Sequence, residues 1–260
     1  NIFIFFFFIF PTLSFSNNYK ADINYPDSNG PFPVIILSHG QGGPGPPYHK
    51  KAARMQKNGF ATIVLDHYSK RNVTGPGRRE FTIKEAKKWR ENDILDVLQK
   101  LKNNTRINKN KVILAGWSAG AGIVLPIISN PQKLIIPDDI NIAGAILIYP
   151  YTYGCYETIE SFNVPTLIIF GQLDGSKKPL TGIHCWKEKI SKFKKNNHII
   201  IFKTLDNSYH LFDFPMRKKK VCVSRKYKDG ITDICYQGNI KAMKEGIIAM
   251  KQFLRKIIVN

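Results

Sequence analysis

The stretch that decides the fold is Val112-Ile113-Leu114-Ala115-Gly116-Trp117-Ser118-Ala119-Gly120. Its first four residues are apolar and predict a buried strand, and the residues from Ala119 to Ser129 predict a helix. A serine with a glycine two positions away on each side is typical of a sharp strand-to-helix turn, because glycine has no Cβ where strand and helix crowd together. Such a turn exposes its hydroxyl, which makes Ser118 the candidate nucleophile. Alternatively, the small residues only allow a helix to pack tightly on a strand.

The rest of the chain alternates short apolar strands with amphipathic helices. Strands are predicted at residues 34–38, 61–65, 112–115, 142–149, 166–170 and 199–202. Helices are predicted at residues 50–57, 85–102, 119–129, 183–195 and 239–258. This alternation indicates an α/β fold with a mainly parallel central sheet and helices on both faces. The longest segment without clear periodicity runs from Asn207 to Gly238.

The beginning of the chain differs from everything after it. Residues from Ile2 to Phe10 are almost purely apolar, too few to span a bilayer but suited to the apolar part of a secretory signal. Ser14 and Ser16 are small residues at the positions that a signal peptidase reads. We therefore expect a signal segment at residues 1–16, a single domain at residues 17–260, and export to the periplasm or the cell exterior.

Four cysteines lie in the second half of the chain: Cys155, Cys185, Cys222 and Cys235. An even number of cysteines in an exported protein predicts two disulfides. Three pairings are possible, and we favour Cys155 with Cys185 and Cys222 with Cys235, because each pair brackets loops at one sheet edge. Four unpaired thiols are the alternative. Without a Cys-x-x-Cys spacing or a His/Cys cluster, no metal site is predicted.

The chain is strongly basic, with 39 Lys and Arg residues against 19 Asp and Glu residues and a formal net charge of +20. The densest basic run is Arg217-Lys218-Lys219-Lys220. This charge predicts a solvated surface with a preference for anionic surfaces or polymers. We do not expect nucleic-acid binding, because the sequence has neither a nucleic-acid-binding motif nor regular interleaving of basic and aromatic residues.

Two further residues complete a candidate catalytic set with Ser118. A serine hydroxyl needs a base, and the base needs an orienting acid. In folds with this turn the chain order is nucleophile, acid, base. Asp174 follows one predicted strand at its carboxyl end, and His210 follows the next, so both are expected at the same sheet edge. Asp206 and Asp213 are rival acids, but they lie too near His210 in sequence to have a separate strand-end position.

A glycine-rich turn, His39-Gly40-Gln41-Gly42-Gly43, follows the first strong strand. Its backbone N–H groups are expected to face Ser118 and to stabilise an oxyanion. The predicted donors are the N–H of Ala119 and the N–H of Gln41 or Gly42. His39 is expected to fix the turn by hydrogen bonds rather than to act in catalysis.

Five segments together resemble the dienelactone hydrolase-like family of α/β-hydrolases over residues 30–255. They are His39 to Gly43, Asp66 to Arg71, Gly116 to Gly120, Gly171 to Asp174 and Tyr209 to Asp213. The resemblance implies an α/β-hydrolase fold without a large lid domain and a triad of Ser118, Asp174 and His210. We expect no cofactor. The namesake enzymes of the family have cysteine as nucleophile. Serine in this chain favours the cleavage of esters in general over dienelactone hydrolysis.

Arg71 is a candidate substrate-binding residue. It ends the segment after a predicted strand, and in some relatives an arginine holds a substrate carboxylate. The alternative is a salt bridge within the loop, with Asp66 or Glu80 as the partner. The two interpretations stay open at the level of sequence.

Two aromatic residues are further candidates for substrate contact. Trp117 precedes the nucleophile and either lines the site or wedges its large side chain beside the turn. Tyr151 belongs to a group of four tyrosines at positions 149, 151, 153 and 156. These tyrosines either form an aromatic pocket wall or pack on the loop that carries them.

The sequence therefore predicts an exported serine hydrolase that cleaves small carboxylic esters through an acyl-Ser118 intermediate. Hydrolysis of a polymer ester or a peptide bond on the same fold is the alternative within enzymes. A non-catalytic envelope protein that binds an anionic glycan or lipid is the alternative outside them, because fold alone does not establish activity.

Overall fold

The structure is a computed structural model of the 260-residue chain. It describes residues 22–73, 83–129, 136–150, 159, 161–175, 182–193, 200–227 and 230–259. The predicted signal segment at residues 1–16 lies outside the described residues.

Within the described residues, seven strands form the central sheet in the order β1-β3-β2-β4-β5-β6-β7. Their bounds are β1 Ile23–Asn24, β2 Phe32–Ser38, β3 Ala61–Val64, β4 Ile107–Trp117, β5 Ile142–Ile148, β6 Thr166–Gly171 and β7 Ile200–Leu205. β1 runs antiparallel to β3, and all other pairs are parallel. The predicted mainly parallel sheet is confirmed. Its central strands are apolar along almost their whole length because both faces of the sheet are covered.

Five α-helices accompany the sheet within the described residues. They are α1 Pro46–Gln56, α2 Ile83–Leu101, α3 Ala119–Ser129, α4 Gly182–Lys192 and α5 Ile240–Val259, and a short 3₁₀ helix spans Ser69–Arg71. α1 lies beside α5, and α2 lies beside α3. α5 buries one face, which includes Phe253, Leu254 and Ile257, and packs on β5, β6 and β7. None of the described helices combines the length and apolarity needed to cross a membrane.

The parallel register brings the carboxyl ends of the strands to one edge of the sheet. Ser38 at the end of β2 pairs with Gly116 of β4, and Gly116 in turn pairs with Leu147 of β5. β6 and β7 end level with each other, with Gly171 opposite Leu205. The loops that follow these strands therefore emerge together, where ligands gather in open α/β sheets.

An antiparallel hairpin lies in the segment for which the sequence predicts no regular structure. It consists of β8 Val221–Tyr227 and β9 Gly230–Tyr236. Cys222 and Cys235 lie directly opposite each other and form a disulfide, with their Cα atoms 4.0 Å apart. This predicted pairing is confirmed. Cys185 is also disulfide-bonded, but its predicted partner Cys155 lies outside the described residues.

Candidate active site

Ser118 occupies the sharp turn between β4 and α3. Its φ angle is +52°, in a region that L residues adopt at a cost of about 1–3 kcal/mol. Both flanking glycines are required by close packing. A Cβ on Gly116 would lie 2.5 Å from the Cα of Ala121, and a Cβ on Gly120 would collide with the carbonyl of Ser38. The turn leaves Ser118 partly exposed, while Gly116 and Gly120 are buried.

The side chains of Ser118, His210 and Asp174 form one hydrogen-bonded chain. His210 Nε2 lies 2.9 Å from Ser118 Oγ, and His210 Nδ1 lies 2.8 Å from Asp174 Oδ2. Asp174 and His210 are 4% and 6% exposed. Because a carboxylate only accepts hydrogen bonds, it favours the tautomer with the proton on Nδ1, which leaves Nε2 to accept from the serine hydroxyl.

Close contact between the loops after β6 and β7 aligns Asp174 with His210. Leu173 N–H donates to the carbonyl of Ser208 at 2.8 Å. A Cβ on Gly171 would collide with the same carbonyl, so glycine permits this approach. On its other side, His210 N–H donates to the carbonyl of Cys235 at 3.1 Å. Asp174 and His210 are thus positioned by backbone contacts as well as by the hydrogen bond between their side chains.

The glycine-rich turn after β2 is held by an extensive hydrogen-bond network. His67 N–H donates to His39 Nε2 at 3.3 Å, so the proton of His39 is on Nδ1, which donates to the carbonyl of Gly40 at 2.6 Å. Burial lowers the pKa of His39 well below its usual value, so the ring is neutral. Tyr48 Oη accepts from Gly40 N–H at 2.8 Å, and Tyr68 Oη donates to the carbonyl of Gln41 at 3.0 Å.

These contacts place Gln41 and Gly42 on an exposed turn that begins beside Ser118. A Cβ on Gly40 would lie 3.5 Å from Ser118 Cβ, so the turn starts within contact distance of the serine. Among the described residues, no hydrogen-bond acceptor lies against the N–H of Gln41 or the N–H of Ala119. Both groups are therefore open to a ligand oxygen. The N–H of Ala119 also belongs to the first turn of α3, whose N–H groups have no partner within the helix.

The comparison with protein families agrees with this geometry. The model of the dienelactone hydrolase family matches residues 20–258. The chain belongs to this family. The resemblance expected from the sequence and the α/β-hydrolase fold are thereby confirmed, and the protein is a hydrolase that acts on esters. No curated protein matches the hydrolase by sequence.

Solved structures of other hydrolases share the fold. A dienelactone hydrolase-like promiscuous phosphotriesterase from metagenomic libraries has a TM-score of 0.66 and 14% identity, with 90% of this chain and 91% of the other covered. An esterase from Thermogutta terrifontis bound to propionate has a TM-score of 0.54 and 14% identity, with 74% and 79% covered. The same esterase phosphonylated by sarin has a TM-score of 0.54 and 13% identity, with 73% and 79% covered.

The carboxylate of Asp213, the rival acid, is occupied elsewhere in the hydrolase. It accepts hydrogen bonds from Trp117 Nε1 at 2.8 Å and from Tyr149 Oη at 2.5 Å, and it lies 3.1 Å from Lys51 Nζ. Burial raises the pKa of Tyr149 well above its usual value, so the phenol stays protonated and donates. The Tyr149 ring packs on His210 with ring centroids 4.4 Å apart. Asp213 thus links the residue before Ser118 to the tyrosine that packs on His210.

Of the three predicted substrate-binding residues, the structure describes Trp117 but not Tyr151. Trp117 is completely buried, and its indole nitrogen is bonded to Asp213. The expectation that it lines the site is wrong, because its side chain does not reach the surface. The alternative, a large side chain wedged beside the turn, describes its position. Tyr151 lies outside the described residues.

Arg71 also differs from its sequence-based interpretation. Its guanidinium forms two hydrogen bonds with the carboxylate of Asp93, each 3.0 Å long, and donates to the carbonyl of His67 at 2.9 Å. It also lies over the ring of Trp89. Because this fork is already paired with a carboxylate, Arg71 does not fit the expected role of holding a substrate carboxylate. Its partner is on α2 rather than in its own loop, where Asp66 caps the N–H groups of the 3₁₀ helix.

Sequence reasoning missed a second array of serine, histidine and aspartate. Ser38 Oγ lies 3.0 Å from His67 Nε2, and His67 Nδ1 lies 2.8 Å from Asp93 Oδ2. All three side chains are completely buried. Burial lowers the pKa of His67 well below its usual value, so this ring is neutral too. The array cannot meet a substrate, and it anchors the ends of β2 and β3 to α2.

Proposed function

We propose that this hydrolase cleaves carboxylic esters through an acyl intermediate on Ser118, with His210 as the base and Asp174 as the orienting acid. The observation that carries the proposal is the chain of two hydrogen bonds, 2.9 and 2.8 Å long, that joins these side chains at a partly exposed turn. Serine becomes a useful nucleophile only when a positioned base takes its proton, and His210 Nε2 has the position for that transfer.

In the first half of the reaction, Ser118 Oγ bonds to the ester carbonyl carbon while its proton moves to His210 Nε2. Asp174 stabilises the imidazolium that forms. The carbonyl oxygen becomes an oxyanion, and we assign the N–H groups of Gln41 and Ala119 as its donors, with Gly42 as the alternative to Gln41. The N-terminal dipole of α3 favours negative charge at the same point.

Collapse of this intermediate breaks the bond to the alcohol, which leaves with the proton from His210. In the second half, His210 takes a proton from water, and the hydroxide bonds to the acyl carbon. The second tetrahedral intermediate then breaks its bond to Ser118 Oγ and releases the carboxylic acid. His210 returns its proton to Ser118 Oγ. Each half uses the same three side chains, and no cofactor enters the scheme.

Labelling with a fluorophosphonate probe tests the nucleophile directly. We expect one adduct on the wild-type chain, located at Ser118 by peptide mass analysis. Ser118→Ala is expected to remove it, and His210→Gln to slow it strongly because Ser118 then lacks its base. Ser129→Ala, at the far end of α3, is the matched control and should label like the wild type. Labelling that survives in Ser118→Ala would refute the assignment.

A panel of nitrophenyl esters and peptide anilides tests the substrate class on the same variants. Turnover of esters that is lost in Ser118→Ala supports ester hydrolysis. Turnover of peptide anilides alone would instead favour the peptide-hydrolase alternative. Binding of anionic glycans without any turnover would favour the non-catalytic alternative.

Export is part of the proposal, with residues 1–16 as the secretory signal and residues 17–260 as the mature domain. The Cys222–Cys235 disulfide supports it, because disulfides persist mainly in oxidising compartments. Amino-terminal sequencing of protein recovered after expression with residues 1–16 included tests this point. A mature chain that begins near Asn17 is expected, and a cytoplasmic product that keeps residues 1–16 would contradict it.

A further inference from the structure

A basic, partly apolar segment lies beside the candidate active site and has no role in the proposed chemistry. It is Met216-Arg217-Lys218-Lys219-Lys220-Val221, referred to below as the Met216–Val221 segment, and it connects the His210 loop to β8. All six residues are exposed. Met216 is 89% exposed, and Val221 is 44% exposed.

The segment is fixed close to His210. Gln237 N–H donates to the carbonyl of His210 at 3.1 Å, and Gln237 Nε2 donates to the carbonyl of Lys218 at 3.0 Å. Tyr236 pairs with Val221 in the hairpin and forms a bridge with His210. β9 thus lies between Val221, at the end of the segment, and His210. The distance across it is two strand spacings, or about 10 Å.

Four adjacent cations in this segment lack neutralising partners. Across the part of the chain that the structure describes, no carboxylate forms an ion pair with Arg217, Lys218, Lys219 or Lys220. Lys220 Nζ lies 5.2 Å from the centre of the Tyr209 ring, next to His210 in sequence. An uncompensated cluster of this kind attracts a surface that carries many negative charges.

The exposed apolar residues near the cations distinguish between the possible anionic partners of the segment. Met216 and Val221 flank the cations, and Leu173, the neighbour of Asp174, is 40% exposed at the same sheet edge. A polysaccharide or a nucleic acid would pair with the cations but would leave the exposed apolar side chains without a partner. A lipid surface satisfies both features, because apolar side chains enter the headgroup region while lysines meet the anionic headgroups.

We propose that the Met216–Val221 segment docks the hydrolase onto lipid surfaces that contain anionic phospholipid. Docking would turn the sheet edge that carries Ser118 and His210 toward the lipid, which makes amphiphilic esters held in that surface the favoured substrate class. The substrate class rests on the ester hydrolysis proposed above, whereas the docking itself does not.

Vesicle binding tests the docking surface. The full chain is mixed with vesicles of phosphatidylcholine alone or of phosphatidylcholine with phosphatidylglycerol, and the bound fraction is measured by flotation. We expect binding only to the anionic vesicles, with a decline as salt is raised. Lys218→Gln/Lys219→Gln/Lys220→Gln should weaken it by roughly 100-fold, at about fivefold per lysine. Met216→Ser should weaken it severalfold without any change in charge.

A matched triple variant distinguishes the effect of the Met216–Val221 segment on binding from the effect of net charge. Lys57, Lys102 and Lys256 are exposed and lie toward the opposite, amino-terminal edge of the sheet. Replacing these three with Gln removes the same charge and should change binding by less than about threefold. Equal losses in the two triple variants would overturn the proposal. Binding to heparin but not to anionic vesicles would also overturn it, in favour of a polyanion.

Activity measurements keep this proposal distinct from the proposed chemistry. Ser118→Ala should bind anionic vesicles like the wild type, and the Lys218/Lys219/Lys220 variant should hydrolyse a water-soluble nitrophenyl ester at the wild-type rate. An amphiphilic ester dissolved in anionic vesicles should be cleaved faster by the wild type than by that variant. Equal rates of the two proteins on the amphiphilic ester would refute the substrate class. A wild-type protein that binds vesicles but cleaves no ester would refute only the proposed ester hydrolysis.

Discussion

Two arrays of serine, histidine and aspartate lie in this hydrolase with almost the same hydrogen-bond lengths. The array at the turn measures 2.9 and 2.8 Å, and the buried array measures 3.0 and 2.8 Å. They differ in their surroundings. Ser118 is partly exposed in a strained turn, whereas Ser38 is a completely buried strand residue. Hydrogen-bond geometry alone does not distinguish a nucleophile from a structural serine, whereas exposure and backbone placement do.

The two aspartates of these arrays also differ in their hydrogen-bond partners. Asp174 is bonded to its histidine at a sheet edge. Asp93 is bonded both to His67 and, through two bonds, to Arg71, so its charge is shared with a permanent cation. The first arrangement can stabilise an imidazolium that forms during a reaction. The second holds a neutral histidine in place and joins it to an arginine.

Replacement of the two serines should give the largest contrast. Ser118→Ala is expected to lower kcat/KM for nitrophenyl esters by about 10⁶-fold, because the nucleophile is lost. Ser38→Ala should lower the free energy of unfolding by about 1–3 kcal/mol, because His67 Nε2 loses its buried partner, with kcat/KM falling less than tenfold. Steady-state kinetics and urea unfolding measure both. Equal kinetic losses in the two variants would erase the distinction between the arrays.

Replacement of the two aspartates is the next largest test. Asp174→Asn should lower kcat by about 10⁴-fold, since an amide no longer favours the required tautomer of His210. Asp93→Asn should instead lower the free energy of unfolding by about 3–5 kcal/mol, because Arg71 is left without its partner in a partly buried position. The same two measurements apply. A stable Asp93→Asn protein with severely reduced kcat would show that the buried array acts in catalysis.

A smaller effect concerns pH. Burial lowers the pKa values of His39 and His67 well below 6.5, so below that pH the unfolded chain binds protons that the folded chain does not. Stability from these two residues is present above pH 6.5 and is lost as pH falls. Below pH 6.5 the loss should approach a limit of about 1.4 kcal/mol per pH unit for each histidine. Urea unfolding at pH 7 and pH 5 measures it.

A variant sharpens the pH test. His39→Asn keeps an N–H group that can donate to the carbonyl of Gly40 but removes one titrating ring, so its loss of stability between pH 7 and 5 should be about half that of the wild type. An unchanged pH dependence in His39→Asn would show that buried histidines at this turn are not its source.

The sequence predicts the central sheet and the positions of Ser118, Asp174 and His210 for one physical reason. Buried parallel strands are continuous apolar runs, and the residues that follow them must meet at one edge of the sheet. The buried array gives no such signal. Asp93 lies in the middle of α2, and the sequence does not show which strand end its carboxylate faces. The partner of Arg71 is missed for the same reason.

The β8–β9 hairpin is missed because it lies outside the central sheet. Its strands mix apolar, polar and charged residues, as in Val221–Tyr227, so apolar runs do not reveal them. The Cys222 and Cys235 positions are the one available signal, because a disulfide across a hairpin requires the two residues to lie opposite each other. The predicted pairing of Cys222 with Cys235 therefore also predicts the register of the two strands.

The carboxylate of Asp213 joins α1, the nucleophile turn and the end of β5 through Lys51, Trp117 and Tyr149. It lies three residues after His210, so it attaches the loop that carries His210 to the turn that carries Ser118. The conformational entropy of aligning these groups is therefore lost during folding rather than on substrate binding. Small esters that supply little binding energy would still encounter an assembled site.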